Sequence, residues 1–153
     1  MIRVQTEDFD VAQELARVRR GDHGIGGIAL FVGVVRAGAG DETIRAMTLE
    51  HYPAMTEREL AKIEAEAKAR WPLEAVTIIH RYGRLEPGDQ IVLVIAASSH
   101  RQAAFEACEF LVDWLKTKAP FWKLEDTSSG SHWVEARAAD DDAAERWQKE
   151  SGS

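Results

Sequence analysis

The chain has 153 residues, 45% hydrophobic and 29% charged, with a formal net charge of −7. That composition describes one soluble domain with room for a real core and argues against a second full domain, while the acidic balance argues against a nucleic-acid binder, which would carry a basic face. Met1 to Asp8 show no basic stretch leading into an apolar one, and the run Ile91 to Ala97 falls far short of the roughly 20 residues that cross a bilayer, so a cytoplasmic protein is expected.

A strand is predicted over Ile2 to Gln5, then a short helix over about Val11 to Arg19 with Asp10 as its cap. Gly21 to Gly27 breaks the pattern. The apolar, partly β-branched run Ile28 to Val35 reads as a buried strand with Arg36 at its mouth, and Ala37 to Asp41 as a loop. Ile44 to Tyr52 alternates as a second strand. Thr56 and Glu59 form a capping box ahead of Leu60, Ile63, Ala67 and Trp71, which predicts an amphipathic helix stopped by Pro72. Val76 to Tyr82 and Gln90 to Ser98 read as an antiparallel hairpin around Glu86-Pro87-Gly88-Asp89. Ser99 and Gln102 make another box, opening the longest helix, His100 to about Lys118, which Pro120 ends. Phe121 to Asp126 and His132 to Ala136 flank Thr127 to Ser131 as a further hairpin.

Strands and helices mixed without strict alternation predict an α+β fold: a mixed or antiparallel sheet with hairpins, packed against two long amphipathic helices. One domain is expected over residues 1–139, followed by a loosely held acidic tail, 140–153.

The segment Lys116-Thr117-Lys118-Ala119-Pro120-Phe121-Trp122-Lys123 gathers three lysines beside bulky apolar side chains in an acidic protein. Such lysines serve as bases, nucleophiles or anion clamps, although cations at a helix end also complement its dipole. At about 100° per residue, Ala104, Phe105, Cys108, Leu111, Val112 and Leu115 form the core stripe of the long helix, and Arg101 falls within it. An arginine there either pairs with a core carboxylate or, with the free N–H groups of the first turn, binds an anionic ligand. His100 adds a donor or is a solvated cap residue, and Arg36 is an anion ligand or a solvated arginine. Cys108 is the one cysteine, so a disulfide or thiolate metal site within the chain is excluded, and its apolar neighbours predict a buried, inert thiol. Five histidines at unrelated spacings give no metal motif, Gly38 and Gly40 make no dinucleotide fingerprint, and no Gly-x-Ser-x-Gly elbow occurs.

Leu49-Glu50-His51-Tyr52-Pro53-Ala54-Met55-Thr56, Arg70-Trp71-Pro72-Leu73, Ile79-His80-Arg81-Tyr82-Gly83, Ser99-His100-Arg101, the Lys116 to Lys123 segment and Trp133-Val134-Glu135-Ala136-Arg137, in that order, resemble the large catalytic subunit of molybdopterin synthase, the MoaE family. The resemblance covers nearly the whole chain. It implies an α/β-hammerhead-like fold and a sulfurtransferase that converts cyclic pyranopterin monophosphate (precursor Z) to molybdopterin, installing two sulfurs as an ene-dithiolate. It also implies that a small MoaD-like, ubiquitin-fold subunit brings the sulfur as a C-terminal thiocarboxylate, with no cofactor on this chain. A buried Cys108, a poor sulfur carrier, agrees with an external donor. The family's lysine pair falls on Lys116 and Lys123, its arginine after the first long strand on Arg36, its His-Arg pair on His100 and Arg101, and a further pocket arginine on Arg137. Lys116 and Lys123 are then the catalytic residues and, with the others, the substrate ligands. Lys118 is a solvated flank. The chain departs from the family at Val34, where a polar or basic residue is frequent, so no side-chain role is expected for Val34 or Val35.

Arg101 and Lys116 are fifteen residues apart on one predicted helix, about 22 Å at 1.5 Å per residue, too far for both to touch one small pterin. A homodimer with pockets built from both chains is therefore expected, each dimer carrying two small subunits as a heterotetramer. The rival reading is a non-catalytic module that grips an anionic metabolite or a ubiquitin-like tail.

Overall fold

A computed structural model describes residues 1–38, 43–127 and 130–134 together with Trp147, residues 132–134 as backbone only. In chain order the elements are β1 (Ile2–Gln5), α1 (Val11–Arg19), β2 (Gly27–Val34), β3 (Ile44–His51), α2 (Pro53–Arg70), β4 (Leu73–Arg81), β5 (Gly83–Leu85), β6 (Gln90–Ser98), α3 (Arg101–Thr117), β7 (Phe121–Thr127) and β8 (Gly130–Val134). The α+β class is as expected, with the strands divided between two sheets. The first runs β1-β4-β6-β2, parallel only between β1 and β4; the second runs β5-β3-β7-β8 and is antiparallel throughout.

The first sheet is covered on both faces, which is why β4 and β6 read as continuous apolar runs rather than alternating ones. On one face Leu60, Ile63 and Ala67 of α2 and Ala104, Ala107 and Leu111 of α3 pack on Val76, Ile78 and Val94. On the other, Phe9 and α1 (Val11, Leu15, Val18) cover Ile79, Leu93 and Ile95. A third cluster, Val35, Met47, Leu49 and Leu85, fills the seam between the sheets.

Local signals held where they were local. Asp10 caps α1 by accepting from the Gln13 amide. Neither predicted capping box forms. Pro53 stands at the start of α2, a position its fixed φ suits, so the helix begins a turn early and Thr56 lies fully buried inside it, donating to the Tyr52 carbonyl at 2.8 Å. His100 caps α3 with no side-chain bond, while Gln102 donates to Glu106 at 3.1 Å. The predicted β4–β6 hairpin does pair antiparallel, but β5 interrupts it: Gly83, at φ +88°, turns the chain out of the first sheet so that β5 joins β3 in the second.

The core face of α3 is also rotated from the predicted stripe. Ala103, Ala104, Ala107, Cys108, Phe110 and Leu111 are buried, whereas Phe105 is 64% exposed and Arg101 is exposed. Of the segment expected as a loose tail, only Trp147 is described, and it is held: buried in the core, it meets Trp71 and Phe110 edge-on and donates to Asp113 at 2.6 Å. Among the described residues, no helix is long and apolar enough to cross a membrane.

Candidate active site

β4 reaches the seam at His80, which is 7% exposed. Its Nδ1 lies 2.8 Å from the Arg81 carbonyl, a group that only accepts, so Nδ1 carries the proton and donates. The ring lies flat on Phe121, the first residue of β7, at 3.8 Å between centroids and 12° between planes. His51, opposite Phe121 in register, also stacks near it at 5.5 Å and 29°, and His51 in turn tilts against Tyr82 at 4.4 Å. The Thr56 hydroxyl spends its proton on Tyr52, so at 3.0 Å it accepts one from His51 Nδ1. As alternation requires, the next side chains point the other way: Tyr52 meets Trp122 at 5.0 Å.

Burial dominates the electrostatics of both histidines. It pushes the His80 pKa down to about 4; the bond to Arg81 opposes this, and the charges of Lys116, His51 and Lys123 lower it further. Burial also lowers His51, against the opposing pull of Glu50 and Glu57. Lys116 and Lys123, on either side of the Pro120 break, thus both lie within electrostatic reach of one buried imidazole.

Each lysine has a definite seat. Lys116 is exposed in the last turn of α3, its Nζ 5.9 Å from the centre of the Phe31 ring, at the outer limit of a cation–π contact. Lys123 is half-buried on β7, on the same face as Phe121, with Leu49 opposite it in register. Leu49 belongs to the seam cluster with Val35, so the base of Arg36 is anchored beside the Lys123 strand. Val35 is fixed by both its backbone groups, donating to Asp89 and accepting from Gly88 at 2.9 Å each, and Arg36 itself is exposed.

His100 and Arg101 lie at the opposite end of α3. Gly27, opening β2, packs against Arg101 so closely that a Cβ there would stand 3.3 Å from Arg101 Cα. Arg101 is exposed, which corrects the expectation that it sits on the buried side of its helix: the core face is centred on Ala107 and turns Arg101 outward. Of the described candidate residues, Lys116 and Lys123 lie within electrostatic reach of His80 and Arg36 follows Val35 of the seam cluster, while His100 and Arg101 stand about 22 Å from Lys116 along the helix. Arg137 lies outside the described residues. Sequence reading gave no role to His80, His51 or Phe121, although all three lie in its motifs. The available signal was an imidazole following the β-branched run Val76 to Ile79 and an aromatic directly after Pro120.

Cys108 is buried as expected, and burial, helped by Glu109, pushes its pKa up to about 11, which disqualifies it as a sulfur carrier at neutral pH. Among the described residues no cluster of His, Cys, Asp and Glu is placed to hold a metal ion. No described strand pairs with the outer edge of β2. Beside it Leu30 (40% exposed) and Phe105 (64%) border a groove of about 510 Å³ between β2 and α3, and Val34 (47%) is exposed at the far end of the strand.

The family model described as MoaE protein matches residues 4–118. A molybdopterin synthase catalytic subunit of Pseudomonas aeruginosa is 55% identical over 148 residues, spanning 97% of this chain and 99% of that one. Its counterpart from Escherichia coli is 50% identical over 144 residues, 94% and 95% of the two chains. Among solved structures, the molybdopterin biosynthesis MoaE protein from Burkholderia ambifaria matches with a TM-score of 0.83 at 53% identity, covering 97% of each chain. Molybdopterin synthase from Staphylococcus aureus matches with a TM-score of 0.79 at 30% identity, covering 87% of this chain and 96% of that one. Matched along nearly its whole length in both sequence and fold, the chain belongs to the MoaE family.

Proposed function

We infer that this chain is the catalytic subunit of a molybdopterin synthase, a cytoplasmic sulfurtransferase that converts precursor Z to molybdopterin. What supports the reading is that Lys116, from the end of α3, and Lys123, from β7, both lie within electrostatic reach of His80, while Arg36 directly follows Val35 of the seam cluster. Two ammonium groups and a guanidinium suit a cyclic phosphate and the negative charge that develops when sulfur attacks a pterin carbon. Lys116 and Lys123 transfer protons and stabilise that charge, with Lys116 the essential residue. Arg36, His100, Arg101 and Arg137 hold the phosphate and pterin. With Cys108 buried, the sulfur comes from outside, as the C-terminal thiocarboxylate of a small ubiquitin-fold subunit.

The two groups of residues come together in a homodimer. An open edge strand is self-complementary, and antiparallel pairing of β2 with its copy sets the Gly27 end of one chain beside the Val34 end of the other. That places His100 and Arg101 of one protomer toward Arg36 of its partner, with Leu30, Val34 and Phe105 covered between them. Two small subunits on such a dimer give the heterotetramer. The test is incubation of the purified protein with precursor Z and a thiocarboxylated small subunit, followed by assay for the dithiolene. Product is expected; binding of both without turnover would make the chain a non-catalytic module and overturn the reading.

A further inference from the structure

The seam is crossed by a stack of rings that the chemistry above does not use. His80 is the penultimate residue of β4, Phe121 opens β7 and His51 closes β3, so the stack ties together three strands from both sheets. Both imidazoles are tethered through Nδ1, His80 to the Arg81 carbonyl and His51 to Thr56. Phe121 has no polar handle. Its ring is placed by the two imidazole faces, at 3.8 Å and 5.5 Å, while its backbone pairs with His51.

Position at this point matters because only residues 118–120 separate α3 from β7. Pro120, with φ fixed and no N–H to give, makes that joint stiff. Phe121 therefore anchors both the last turn of α3, which bears Lys116, and the start of β7, where Lys123 follows two residues later on the same face. A plain core contact would have been filled more cheaply by leucine or phenylalanine, as elsewhere in the interior, because a buried imidazole must be desolvated. What the imidazole adds is a flat face whose angle is locked by one hydrogen bond.

We propose that His80 is a positioning residue of the sulfur-transfer site: its tethered ring is the platform on which Phe121 rests, and through Phe121 it sets Lys123 against Lys116. It touches neither substrate nor sulfur. Misplacing a catalytic group by about 1 Å can cost on the order of 100-fold in rate, so the device is worth a buried polar ring.

The role rests on the synthase reading, and the test separates the two. In the complete complex, His80→Ala should lower kcat by about 30- to 100-fold with KM for precursor Z within about threefold, because the phosphate ligands are untouched. His80→Phe, which keeps a ring face but loses the tether, should lose about 5- to 10-fold, less than Ala, and His80→Asn, which offers a side-chain donor but no ring, should fail like Ala. Phe121→Ala should lose as much as His80→Ala, and the double variant no more than either, as expected when one residue acts through the other. Amide exchange of residues 121–124 in His80→Ala should speed up about tenfold while Leu93 to Ile95 stay protected. Losses that multiply in the double variant, a dead His80→Phe beside an active His80→Asn, or unchanged exchange at 121–124 would each overturn the platform. If wild type makes no dithiolene, the synthase reading falls, and the exchange comparison still decides the role of His80.

Discussion

A buried neutral histidine links the stability of this protein to pH, and the size of the link can be worked out. The folded state holds His80 at a pKa of about 4, while the unfolded chain takes up a proton near 6.5. Between those values the unfolded state binds the extra proton, so stability rises with pH across that window. The contribution is fully present above pH 6.5, falls as the pH drops, and is exhausted below about pH 4, where the folded imidazole also protonates. Over the whole window the loss is about 3 kcal/mol, of which about 2 kcal/mol has gone by pH 5. His51, also lowered, acts in the same direction, whereas Asp8, lowered from 3.8, acts only in the more acid range. His80→Phe removes the titration and keeps a ring on Phe121. Urea unfolding at pH 7.5 and pH 5.0 should therefore show wild type losing about 2 kcal/mol more than His80→Phe. Parallel losses in the two proteins would refute the burial argument.

Lys116→Ala should cut dithiolene formation at least about 100-fold with the melting temperature unchanged, since the side chain is exposed; near-normal turnover would remove it from the chemistry. Mixing inactive Lys116→Ala and Arg101→Ala chains should restore activity in hybrid dimers, and verified hybrids that stay dead would place each site within one chain. Native Cys108 should resist alkylation at pH 8, where a thiol with a pKa of about 11 is about one part in a thousand thiolate, and react promptly in denaturant. Gly26→Ala should destabilise by about 2 kcal/mol or more, because its Cβ would stand 2.1 Å from the Ser99 carbonyl oxygen just ahead of α3; an unchanged melt would contradict that packing.

What could be read from the sequence follows the range of the forces involved. The cap of α1 was legible because Asp10 and the Gln13 amide lie within one turn. The strands of the first sheet were legible because burial on both faces leaves apolar runs. β5 was not, since three residues acquire meaning only by pairing with β3, far earlier in the chain. The order of motifs points to the lysine pair, yet not to its lying within electrostatic reach of His80. Nothing local links residue 80 to residue 121; their stacking depends on β4 ending at the point where β7 begins.

The rotation of α3 is the most instructive departure, because one physical cause accounts for three observations. Stripe arithmetic assumes a single apolar side, and on that assumption Phe105 and Arg101 belonged inside. The helix has two apolar surfaces: one centred on Ala107 that packs on the first sheet, and one marked by Phe105 that borders the open edge of β2. A helix apolar on more than one side is buried on more than one side, and among the described residues cover is present for only the first. With a second copy across β2, Phe105, Leu30 and Val34 leave solvent together, and Arg101, exposed at the end of that edge, gains a neighbouring pocket to serve. The residue that looked misplaced on the helix is then where a shared site needs it, which ties the outcome of the hybrid-dimer mixing to the burial of Phe105. Phe105→Lys should therefore give a folded monomer that has lost turnover with Lys116, Lys123 and His80 all in place.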